Sequence, residues 1–120
     1  MYPLVYHKTL TTEKWNSYPR FQQILMIANE MNRAQNALLK NDTQNAIHAW
    51  ERAFELTDLT INDSSNVRYL KELLRFRELS GELFLNPDAD FSKALMNALI
   101  SLDPKAWNML RDQISAISNQ

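Results

Sequence analysis

Residues able to do acid–base, nucleophilic or metal chemistry are few here and widely spaced. The 120-residue chain has two histidines, His7 and His48, and no cysteine, which removes thiolate nucleophiles, cysteine zinc sites and disulfides together. A helical zinc or di-iron centre needs carboxylates and imidazoles converging as Glu-x-x-His or His-Glu-x-x-His, and neither spacing occurs. His48 is expected to face solvent on a helix. His7 is expected in an N-terminal arm with nothing to orient it. Asp88 and Asp90 could begin a calcium loop, but that loop also needs a Gly at its sixth position and a Glu at its twelfth, where Lys93 and Leu99 stand. Helix capping accounts for both aspartates. A single glycine, Gly81, excludes the Gly-rich phosphate cradles. The expectation is a protein without catalytic residues, metal or cofactor.

Arg68, Lys71, Arg75 and Arg77, with Tyr69 and Phe76 between them, could grip RNA. Glu72, Glu78 and Glu82 interleave with these cations, however, and Glu72 with Arg75 is an ordinary three-residue helix pair. The formal net charge is −1 and the isoelectric point about 6.1, so no basic field exists to hold nucleic acid or an anionic membrane. The longest apolar run, Ile24 to Ala28, is far short of the roughly 20 residues that cross a bilayer and shorter than a signal-peptide core. A soluble, cytoplasmic chain that binds neither nucleic acid nor membrane is expected.

What remains is apolar surface beyond a single core stripe. Ile27, Leu56, Leu59, Phe76, Met96, Ile100 and Met109 stand beside the main stripes, and the first residues are aromatic and apolar. Such residues mark a groove for a partner helix or a contact between copies of the chain. The expected partner-binding residues are Tyr2, Leu4 and Tyr6 of the arm with Ile27, Met31, Leu56, Leu59 and Phe76. The competing reading is that the bundle buries two sides of its central helices.

The elements that must position these residues are helices. One Gly and four Pro leave too few turn residues for a sandwich or barrel. Residues 1–10, broken by Pro3, read as an extended arm. A short helix is predicted around Thr12 to Tyr18, and Pro19 suits the first position of a longer one. There Phe21, Ile24, Leu25, Ala28, Met31, Gln35, Leu38 and Leu39 recur at helical spacing. Asn41 and Asp42 supply a left-handed C-terminal cap and then an N-cap, so the next helix folds back as a hairpin. Its buried side is Ala46, Ile47, Trp50, Ala53, Phe54, Thr57 and Ile61, and residues 62–66 read as a loop. A helix from about Val67 to Leu85 carries the widest apolar arc and is expected to sit centrally. Asn86-Pro87 followed by Asp88 or Asp90, and later Asp103-Pro104, start two further helices. The fold class is all-α: an antiparallel bundle of about five helices over residues 11–102, an arm over 1–10 and an additional C-terminal helix over 103–120, all in one domain.

The order of elements resembles the flagellar secretion-chaperone group, FliS-like flagellin chaperones and FlaF-like flagellar proteins, over residues 1–102. Met1-Tyr2-x-x-x-Tyr6 is similar to the FlaF opening, and Ser17-Tyr18-Pro19 stands where FliS proteins start a helix with Ser-Pro. Asp42, Ala46, Arg52-Ala53 and Leu59 match the second hairpin helix of FliS, Leu70-x2-Leu73-Leu74-x-Phe76 the helix after it, and Asp90-Phe91 with Leu95 the last. The first long helix departs from FliS, because Ile27-Ala28-Asn29-Glu30-Met31 lacks the Tyr and Gly usual there. The resemblance implies a non-catalytic export chaperone or regulator that binds the C-terminal helical segment of flagellin in the cytoplasm. It also implies that the arm, through Tyr2, Leu4 and Tyr6, occupies the empty groove. A second likeness is to a tetratricopeptide adaptor: Ala34, Ala46, Trp50 and Ala53 match four positions of that repeat, although no second copy follows at its period. Otherwise the chain reads as a helical interaction domain.

Overall fold

The structure, a computed structural model, describes His7 and residues 9–118, without the side chains of residues 64 and 112–118. The described residues are helical and contain no strand. The α-helices are α1 (Thr12–Ser17), α2 (Arg20–Leu39), α3 (Thr43–Asn62), α4 (Leu70–Leu85), α5 (Ala89–Ile100) and α6 (Pro104–Ser118), and a 3-10 helix, Ser64–Tyr69, joins α3 to α4.

The helix boundaries follow local chemistry. Thr11 caps α1 by accepting from the Lys14 amide at 3.0 Å. Asp42 caps α3 through the Asn45 amide, Asp88 caps α5 through the Phe91 amide, and the Asp103 carboxylate takes the Lys105 and Ala106 amides ahead of α6. Each such cap contributes about 1 kcal/mol. Asn41 turns the chain between α2 and α3 at φ 58°, the left-handed region that Asn tolerates better than most residues. Pro19 stands one place before α2 rather than inside it. The stretch expected to be a loop, residues 62–66, instead enters the 3-10 helix, and α4 starts only at Leu70.

The core lies where α2 and α3 pack along each other, with α1, α4, α5 and α6 around them. At its centre are Trp15, Ile24, Ile27, Met31, Ala34, Leu56, Leu99 and Ile100, each 0–1% exposed. Ala34, Ala46, Ala49 and Ala53, small residues of α2 and α3, are all buried. This arrangement corrects the sequence reading of surface apolar residues. Ile27, Met31, Leu56, Leu59 and Phe76 are all buried, because α2 packs on α3, α5 and α6 while α3 packs on α2, α1 and α4. Helices with neighbours on two sides bury a broad arc, and each large side chain so buried stabilises the fold by about 1.5–3 kcal/mol. Met96 and Ile100 are buried as well, whereas Met109 is 52% exposed. The expectation that the fourth helix sits centrally is also corrected. Only Leu73, Phe76, Ser80 and Leu83 of α4 are buried, and Leu74 and Leu85 face solvent. Leu39, in the last turn of α2, projects beyond the neighbouring helices and is 69% exposed.

Two buried polar clusters tie the helices together. Glu30 of α2, 7% exposed, accepts from Arg33 and from Arg52 of α3, each at 2.9 Å. Gln23, 1% exposed, donates through Nε2 to the Trp15 carbonyl at 2.9 Å and to Asp63 Oδ2 at 3.0 Å, while its Oε1 accepts from Asn66 at 3.0 Å. The indole N–H of Trp15 donates to the Thr60 hydroxyl at 3.2 Å. These bonds join α1, α2, α3 and the 3-10 helix at one end of the molecule.

Candidate functional site

Each group of residues with chemical potential resolves into a definite environment. His7 is oriented, contrary to expectation: its Nδ1 lies 3.0 Å from Glu55 Oε1 on α3, and its amide donates to the same oxygen. His48 is half-buried, with Nε2 2.9 Å from the Gln44 amide nitrogen one turn away. Among the described residues no three His, Cys, Asp or Glu side chains gather as a metal site would require.

The environment of Asp63 shifts its titration. Burial works against its charged form, but hydrogen bonds from Gln23, the Ser65 amide and the Ser65 hydroxyl outweigh it, so its pKa is held below the usual value of 3.8. No buried side-chain nitrogen or oxygen in the described residues lacks a partner. The cluster is therefore a satisfied strut whose donors and acceptors are engaged within the fold.

Of the four cations Arg68, Lys71, Arg75 and Arg77, Arg68 lies in the 3-10 helix and the other three in α4. Arg77 points to α3, where its Nε donates to Asp58 at 3.0 Å and its guanidinium lies 4.2 Å from the Phe54 ring centroid. Arg20 covers Tyr69 in the same way, and Lys105 covers Phe21. Arg75 lies 3.3 Å from Glu78.

Among the described residues, a groove of about 450 Å³ lies between α4 and α5. Phe76 and Leu79 of α4 form its floor with Leu95 and Leu99 of α5, and Leu102 closes one end. Lys71, Glu72 and Arg75 make the α4 rim, while Ala98 of α5 and Ser101 just after it make a small, neutral rim opposite. The groove exists because α4 turns a second apolar position, Leu79, beyond its buried stripe, and because Ala98 is too short to fill the space opposite.

Of the eight residues expected to bind a partner, Phe76 alone lies at this groove. Ile27, Met31, Leu56 and Leu59 are core, and Tyr2, Leu4 and Tyr6 fall outside the described residues. Sequence reasoning missed Leu79, Leu95, Ala98, Leu99 and Leu102 as groove residues because they fit the core stripes of α4 and α5. The signal was the width of the α4 arc, which exceeds what one neighbouring helix covers. No family model, curated protein or solved structure matches the chain.

Proposed function

We propose that the chain is a non-catalytic protein-binding domain whose α4–α5 groove receives the apolar face of a helical segment from another protein. The observation that supports this is the groove itself, lined by buried Phe76, Leu95 and Leu99 and by partly exposed Leu79 and Leu102, between a charged rim and a neutral one. A helix lying in such a groove inserts about three side chains, spaced i, i+3 or i+4, and i+7. Burying them is worth roughly 25 cal/mol per Å² of apolar area, set against the cost of ordering the segment.

The flagellar resemblance names the occupant to test first, the C-terminal helical segment of flagellin held in the cytoplasm before export. On this reading the helices form a single domain, an antiparallel bundle of five with α6 added. The test is a titration of the full chain with that segment, followed by tryptophan fluorescence and confirmed by calorimetry. Saturable one-to-one binding, weakened at least about tenfold by Leu79→Asp with the helical circular dichroism intact, is the expected result. A folded chain that does not bind at high segment concentration removes flagellin as the partner.

A tetratricopeptide-like adaptor is the second reading, favoured by the burial of Ala34, Ala46, Trp50 and Ala53 at the α2–α3 contact. It places binding on the α2–α3 hairpin, so Leu79→Asp would leave partner affinity unchanged.

A further inference from the structure

A second face of α4, beside the groove, carries three features that the isolated chain does not explain. Lys71, Arg75, Glu78 and Glu82 recur at steps of four, three and four residues, so they form one stripe along the helix. All four are exposed, and Leu74 and Leu85, 49% and 74% exposed, flank or extend the stripe.

The first feature is charge order. Lys71 stands in the first turn and Glu82 in the last, each at the end of the helix dipole that disfavours its sign. Neither side chain has a hydrogen-bonding or ion-pair partner among the described residues, and the exposed Arg75–Glu78 pair contributes little within one helix. The second is Gly81, the sole glycine of the chain, inside a helix where Gly is a poor choice. Its backbone does not use a positive φ, and a Cβ added there would meet nothing within 4 Å. The third is the exposed Leu74, one heptad before Gly81 on the same flank of the stripe.

We propose that one occupant answers all three: α4 of a second copy, packed antiparallel across a two-fold axis. Reversing the helix places Lys71 beside the partner's Glu82 and Arg75 beside the partner's Glu78. Each pair forms twice by symmetry, as a self-complementary interface requires. In the same register the layer on the stripe's flank sets Leu74 opposite the partner's Gly81, where the missing side chain leaves room for it. The two helix dipoles then run in opposite directions, and the charges that are misplaced in one helix face the favourable end of the other. This inference needs no peptide, although Lys71 and Arg75 also stand on the α4 rim of the groove, so the dimer and a groove-bound segment share that edge.

The experiment is sedimentation velocity and light scattering on the full chain across a concentration series, at low and high salt. The expected result is a reversible dimer that salt weakens. Lys71→Glu with Arg75→Glu, and separately Glu78→Lys with Glu82→Lys, should each raise its dissociation constant at least about tenfold. Mixing the two double variants one-to-one should produce a heterodimer, and combining all four reversals in one chain should restore the homodimer. All four positions are exposed, and circular dichroism checks that each variant stays helical. A chain that remains monomeric at about millimolar concentration, or a dimer indifferent to salt and to both reversals, overturns the proposal.

Discussion

Replacing Gln23 by Leu tests how far a buried amide holds one end of the fold together. The substitution keeps much of the side-chain volume and removes three hydrogen bonds: to the Trp15 carbonyl, to the Asp63 carboxylate and from Asn66. Asn66 keeps its bond to the Thr60 carbonyl, and Asp63 keeps both bonds from Ser65. The Trp15 carbonyl keeps its bond from the Tyr18 amide, so losing the Gln23 donor costs about 0.5–1.5 kcal/mol, and the charge-assisted bond to Asp63 is worth about 1.5–3 kcal/mol. The added apolar burial recovers about 1 kcal/mol, leaving a destabilisation of about 1–3.5 kcal/mol. Denaturant unfolding followed by tryptophan fluorescence, which includes Trp15 within the cluster, reads this as a lower midpoint at an unchanged slope. The pH dependence carries a sign that can be checked. Because Asp63 titrates below 3.8 in the folded chain, its contribution is fully present above that value and is lost as pH falls through the folded pKa. The wild-type advantage over Gln23→Leu should therefore narrow below about pH 4. A loss under about 1 kcal/mol at pH 7 would refute the reasoning, as would a gap that widens in acid.

Other perturbations separate a core from a surface. Ile27→Ala, at a residue 0% exposed, should cost about 2–5 kcal/mol in denaturant unfolding, whereas an exposed apolar residue would cost about 0.5 kcal/mol or less. Gly81→Ala meets nothing within 4 Å and should stabilise the monomer by about 1 kcal/mol, measured at low protein concentration. Val at position 41 in place of Asn41, which holds φ at 58°, should lower stability by about 1–2 kcal/mol, while Gly there should be neutral or better.

Much of the fold is legible in short-range chemistry. Asn41-Asp42, Asp88 and Asp103-Pro104 each announce a helix boundary because capping depends on residues within one turn, and the structure places caps at all three. Burial was harder to read. Helical spacing orders residues around one helix, but it does not count that helix's neighbours. Ile27 and Leu56 stand beside the predicted stripes and become core only because α2 and α3 are each flanked twice. Gln23, Asp63 and Asn66 look like solvated residues in a sequence. Their burial depends on Gln23 meeting residues 40 and 43 positions away, a pairing that no local pattern encodes. The groove was illegible for the same reason, since it is a space between two helices that each look ordinary alone.

The Glu30 clamp bears on which hairpins the chain can form. Alanine-lined contacts between α2 and α3 are permissive, since small side chains slide past one another with little penalty, and a helical pair packed on them has several near-equivalent alignments. Glu30 removes that degeneracy. It meets Arg52 in one alignment only, and a shift of one helical turn, about 5.4 Å, takes Arg52 away and leaves the buried carboxylate to Arg33 alone, at a cost of about 1.5–3 kcal/mol. The pair thus adds little to the depth of the native state but raises its nearest competitors.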